Sequence, residues 1–262
     1  MRKSSLHSGS SLAIAAVFIV CIFLLILGGL LLKFFLILRA SRFDGVHQYI
    51  VAIRQDKSHA EIIAFSPSAQ SVEALRITGT ANVSDNVYVH VPVDARLTMP
   101  LVSSVPTLVG NMLMNAKDEQ GITVLDKIRL LLFVNSLRPG DIHQTSLTIP
   151  ADPVATDRLV SGMFLDNSLY ADNKTITVVN ATGVPGIAAD AAKMLTTVGM
   201  DVVSVTTADA NQNHTTLVVG HVGGYTENRL AHFFGVTPTV GTGSVVSDIT
   251  LTIGKDSLPQ VE

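Results

Sequence analysis

Few residues in this chain have the type and spacing that chemistry needs, and the most suggestive begin at Asn180. Asn180-Ala-Thr182-Gly183 leads through Pro185-Gly186 into a helical pattern, an arrangement whose free backbone N–H groups can cradle an anion at a helix start. Turn chemistry explains the same residues without a ligand, because Asn, Thr and Gly supply the side-chain hydrogen bonds and backbone angles of a tight connection. No lysine or arginine stands beside the segment to help hold an anion. Metal chemistry is not expected: His90 with Asp94 and His214 with His221 are isolated pairs without ligand spacing. No cofactor is expected either. Gly241-Thr-Gly243 runs into a strand rather than a helix, and neither a Gly-x-Ser-x-Gly elbow nor a Walker loop occurs.

The elements around Asn180 follow from periodicity. Thr175–Val179 reads as a strand, and Pro185 sits where a first helical turn accepts proline. Ile187, Ala191, Met194, Leu195 and Val198 then share a helical face that Gly199 closes. Asp201–Val205 and Thr215–Val219 are strands. Thr226 is placed to cap a second helix carrying Leu230, Phe233 and Phe234, which Gly235 stops. Asp248–Ile253 alternates, with Ile249, Leu251 and Ile253 inward and Thr250 and Thr252 outward. The order is βαββαβ, a four-stranded sheet with two helices on one face, expected to fold alone.

Upstream, Ser11–Leu32 holds 22 residues without a charge, about 33 Å at helical rise, enough for a hydrocarbon core of roughly 30 Å. It is too long for a cleaved leader, and Val20 before Cys21 does not suit a lipoprotein signal. An uncleaved single-pass anchor within residues 1–42 is expected, with the lipid bilayer as its partner. Arg2 and Lys3 before the span and Lys33, Arg39 and Arg42 after it leave orientation undecided by charge. Removing these five from a formal net charge of −3 leaves −8 for the rest. An acidic region without Trp or a Lys/Arg cluster excludes nucleic acid as an expected partner.

Residues 43–170 read as a mixed α/β region. Val46–Arg54 and Glu61–Phe65 look like a hairpin, with further strands at Ser71–Ile77, Val87–Val93 and Gln144–Ile149. Helices are expected at Val102–Ala116, at Val124–Ser136 behind a Thr123/Asp126 capping box, and from Asp152-Pro153 to about Asp166. Arg54, Arg76, Arg96, Arg129, Arg138 and Arg158 read as scattered, solvated surface charges.

The segment Ile176-Thr-Val-Val-Asn-Ala-Thr-Gly183, the Gly186-Ile-Ala-Ala helix start, Leu195 to Gly199 and Asp248-Ile-Thr-Leu-Thr-Ile-Gly-Lys-Asp256 together resemble the LytR C-terminal domain of bacterial envelope proteins. That resemblance implies a place outside the cytoplasmic membrane and a recognition or assembly role over residues 174–257, with 258–262 a tail. Its candidate binding residues are Asn180, Thr182, Gly183, Gly186, Asp248 and Asp256. Glu61–Val83 is similar in rhythm to the opening of the LytR/CpsA/Psr catalytic domain, where a Pro-Arg-Asp-Thr element serves a polyprenyl-linked glycopolymer. Here that element falls on Thr78-Gly79-Thr80-Ala81, so Gly79 and Thr80 replace its arginine and aspartate. Phosphoryl chemistry needs such charges. The expectation is an extracytoplasmic, non-catalytic module for cell-wall glycopolymer, peptidoglycan or envelope proteins. An active transferase and a structural tether are the alternatives. Arginines converging on an apolar cavity would favour the first, and a flat polar sheet face the second.

Overall fold

The computed structural model describes residues 9–79, 91–102, 104–115, 117–149, 151–241 and 246–257. Helix α1 (Gly9–Ala40) contains Ala16–Lys33, a stretch apolar and long enough to cross a membrane, with no part of it buried against protein. A bitopic anchor and a signal sequence share that composition. It belongs to a unit of its own, Met1–Arg42, and the rest of the chain, Phe43–Glu262, forms a second unit.

The second unit is built on two mixed sheets. Strands β1 (Tyr49–Arg54) and β2 (His59–Ser66) form the expected hairpin, β3 (Ser71–Gly79) extends it antiparallel to β2, and β6 (Ile142–Ile149) adds parallel to β3. On the other side, β4 (Ala95–Thr98) runs parallel to β1, and β5 (Lys117–Gln120) closes the edge, giving the order β5-β4-β1-β2-β3-β6. Strict alternation divides the apolar residues between two faces. Val51, Ile53, Ile63, Phe65, Val72 and Ala74 pack against α2 (Val105–Asn115) and α3 (Val124–Ser136). Ile50, Ile62, Ala64, Leu75 and Ile77 face the opposite way, toward Val160 of α4 (Pro153–Met163), Phe164 and Leu169 of α5 (Asn167–Asp172). The Thr123/Asp126 capping box is present, and Asp152 caps α4 ahead of Pro153.

The same core continues into the second sheet. Strands β7 (Thr175–Asn180), β8 (Asp201–Thr207), β9 (Thr216–Val219), β10 (Pro238–Val240) and β11 (Ile249–Ile253) take the order β10-β9-β11-β7-β8. Helices α6 (Ile187–Thr197) and α7 (Tyr225–Phe234) share one face with Ile176, Val178, Leu217, Val219, Ile249, Leu251 and Ile253. Gly199 and Gly235 end the helices with φ of +96° and +64°, a backbone state that favours glycine.

Four readings change. The second sheet has five strands, because Pro238–Val240 pairs with β9. The expected strand at Val87–Val93 lies partly outside the described residues, and its described part, 91–93, precedes the actual strand β4. Pro185 stands in the turn before α6, whose cap is Gly186. Thr226 lies inside α7 and caps nothing: its N–H (3.2 Å) and hydroxyl (2.7 Å) both donate to Asp172, so an acceptor at the end of α5 serves the start of α7.

Candidate functional site

The turn after β7 is closed upon itself. Asn180 Oδ1 accepts from the Thr182 N–H at 3.0 Å and the Thr182 hydroxyl at 2.7 Å, while Asn180 Nδ2 donates to the Val184 carbonyl at 2.8 Å. The Val184 N–H in turn donates to Thr182 Oγ1 at 3.0 Å. Asn180 and Thr182 are both buried, so these bonds replace water on groups that folding has desolvated. Gly183 and Gly186 carry φ of +82° and +92°, and a Cβ at Gly183 would meet the Asn211 side chain at 2.6 Å. The turn spends its polar groups on its own geometry.

Asp248 and Asp256 flank β11 and do similar work at its two ends. Asp248 Oδ2 accepts from the N–H (3.0 Å) and hydroxyl (2.8 Å) of Thr175 at the start of β7, and Thr175 Oγ1 accepts the Asp248 N–H at 3.0 Å. Asp256 accepts from Thr215 N–H at 2.9 Å and its hydroxyl at 2.6 Å, just before β9. Bonds to Thr175 and to Thr215 hold the two carboxyls below the usual range. The structure therefore does not bring the six sequence candidates to one place: four build a turn, and two clamp neighbouring strands.

At the end of β3, Gly79 N–H donates to the Ser58 carbonyl at 3.0 Å, and a Cβ there would come within 2.6 Å of the Ile149 carbonyl. Thr80 and Ala81 lie outside the described residues. Arg76 shares a strand face with Val72 and Ala74, opposite to Gly79. It is no solvated surface charge. Its Nε and Nη2 donate to Glu61 Oε2 at 3.0 and 2.7 Å, and Nη2 also reaches the Val102 carbonyl at 2.5 Å. Burial of Glu61 pushes its carboxyl above the usual range, with Arg76 pulling the other way. Arg129 is likewise engaged, donating to the Phe43 carbonyl at 2.9 Å.

The densest charged cluster was missed from sequence. Asp94 accepts from Arg229 Nη1 at 2.6 Å and Nη2 at 3.2 Å, and from the Ile50 N–H at 2.8 Å, with His232 Nε2 at 3.3 Å. Burial opposes the Arg229 charge most strongly of any single cause, but Asp94, Tyr225 and Asp166 together outweigh it and hold the guanidinium above its ordinary pKa. Arg229 also lies over the Phe233 ring at 4.4 Å. Nearby, the Tyr225 ring stacks on His47 with centroids 4.1 Å apart, and its hydroxyl donates to Asp166 at 2.6 Å. Burial drives the Tyr225 pKa far upward, so that hydroxyl stays a donor. The only sequence signal was the pairing of polar residues with apolar runs, which does not say which acid meets which base. Asp94 is met by Arg229, His232 and the Ile50 N–H, which suits a structural clasp, although Arg229 Nε is buried without an acceptor. Among the described residues no three His, Cys, Asp or Glu side chains form a metal set.

Residues 173–256 match the family model described as LytR cell envelope-related transcriptional attenuator, a span running from just before β7 to just after β11. The match does not extend to residues 43–170. No match was found among curated proteins. Among solved structures, the Lin1025 protein from Listeria innocua is similar at 11% identity over 73% of this chain and 100% of that chain, with a TM-score of 0.17, too low to carry an argument.

Proposed function

We propose that this protein is a membrane-anchored component of a bacterial cell envelope whose residues 43–262 lie outside the cytoplasm and bind or organise wall glycopolymer, peptidoglycan or envelope partners without catalysis. The family match at residues 173–256, in a chain that also carries the apolar helix α1, carries this reading. The non-catalytic part draws support from the β3 end. Gly79 leaves no room for a side chain beside Ile149, and Arg76 is committed to Glu61 on the other face. Among the described residues, a cleft of about 260 Å³ has no arginine in its lining, and a second of about 440 Å³ has Arg138 as its one arginine. Losing one charge-stabilising contact typically costs about 10²–10³ in rate.

The test is transfer or pyrophosphate release by the purified protein from a polyprenyl-pyrophosphate glycan with magnesium, run beside co-sedimentation with isolated wall sacculi. Co-sedimentation without turnover is expected; robust turnover would restore the transferase. The sheet face that a tether would offer is mixed: the side of the second sheet away from α6 and α7 carries Thr216, Thr250 and Thr252 beside Val179 and Val218, and Thr177 there is buried.

A further inference from the structure

The 260 Å³ cleft between the β2–β3 connection and the end of α4 has a lining with a consistent chemical bias. Gln48, Ser66, Ser68, Ser71, Glu73 and Asp166 are among its polar groups, and among the described residues neither lysine nor arginine lines it. Gln48 is only 4% exposed. Its Nε2 donates to the Ser66 hydroxyl at 3.3 Å and to the Leu165 carbonyl at 3.4 Å. A carbonyl accepts and never donates, so the contact with Leu165 fixes which end of the amide is nitrogen. Gln48 Oε1 is thereby left buried without a donor. An orphaned acceptor of this kind is costly, and a ligand hydroxyl would satisfy it.

The carboxylates narrow the ligand further. Glu73 meets His143 Nδ1 at 2.8 Å, and Asp166 already accepts the Tyr225 hydroxyl and the Ser168 N–H. They retain accepting lone pairs, and they repel phosphate. The serine hydroxyls both donate and accept, as a polyol requires. The volume falls just below the usual range for drug-sized ligands, which suits something of about one ring.

We propose that this cleft is a subsite for an uncharged, hydroxyl-rich ligand, a single sugar ring of a glycan, held by Gln48 Oε1 with Ser68, Ser71 and the Glu73 and Asp166 carboxylates. The proposal rests on the glycan-binding reading above and names its ligand class: neutral saccharide rather than phosphate.

Saturation-transfer NMR on the full chain in lipid nanodiscs, with N,N′-diacetylchitobiose as probe and inorganic phosphate as competitor, tests it. Transfer to the saccharide is expected, with phosphate failing to compete. Gln48→Met keeps the side-chain length and removes the acceptor, so at least a fivefold weakening is expected. Ser71→Ala, at the partly open start of β3, gives a second variant if Gln48→Met unfolds. Absent transfer at millimolar saccharide, competition by phosphate, or unchanged affinity in a folded variant would overturn the cleft assignment. Co-sedimentation with sacculi that persists in those cases leaves the envelope reading standing. Saccharide transfer that is lost in Gln48→Met, beside absent co-sedimentation, upholds the cleft and removes the envelope reading.

Discussion

Arg229 and Asp94, 135 residues apart, meet through two hydrogen bonds with 9% and 4% of their surfaces exposed. The pair joins α7 to the residue just before β4, which itself exchanges backbone and side-chain bonds with Ile50 of β1. Buried pairs of this kind stabilise little relative to apolar residues, but losing one partner strands the other.

Arg229→Ala is therefore expected to destabilise the fold by about 3–5 kcal/mol. Changing both Asp94 and Arg229 should cost less than the sum of the two single changes. Urea denaturation followed by circular dichroism measures both; strict additivity would mean that the two residues are not coupled.

The Glu61–Arg76 pair predicts a pH-dependent mutant. The folded carboxyl has a pKa above its unfolded value of about 4.3, so its contribution is most favourable below that value and is lost as pH rises through the folded pKa. Arg76→Ala removes the charge that offsets burial. The difference in stability from wild type should be largest at pH 7 and should shrink as pH falls through this window. Comparing the two proteins at each pH cancels the opposite trend from Asp248 and Asp256, whose lowered carboxyls lose their contribution on acidification. A difference independent of pH would contradict the assignment.

Asn180→Ala removes two accepted bonds and one donated bond from a buried turn, for an expected loss of about 1–3 kcal/mol. Asn180→Asp keeps the acceptor but not the donor to Val184, and should fall between. Thermal unfolding ranks the three proteins. Unchanged stability in Asn180→Ala would point to a ligand role instead of a turn.

Topology has a direct readout. Protease added to intact spheroplasts should digest residues 43–262 if they lie outside. Protection until lysis would place them in the cytoplasm.

How much was legible depended on the range of the interaction. Glycines 199 and 235, the Thr123/Asp126 box, Asp152 before Pro153 and the alternation of Ile249, Leu251 and Ile253 were readable, because caps, stops and periodicity act within a few residues. The apolar length of α1 was readable for the same reason. β4 and β10, of four and three residues, were missed because so short a strand forms only where a neighbour offers its edge. Of the candidate site, the identity of Asn180, Asp248 and Asp256 was visible but their roles were not, since each role is set by a threonine that only the turn or a neighbouring strand places within reach. The sequence alone determined that α2, α3, α4, α6 and α7 are helical, which face of β11 is apolar and that one helix can span a bilayer. The tertiary structure decided that Arg229 finds Asp94, that Arg76 is spent on Glu61 and that Gln48 is left without a donor. Charged and amide groups act over a few ångströms, and chain separations of 135 and 15 residues carry no local signal of which partner folding will bring.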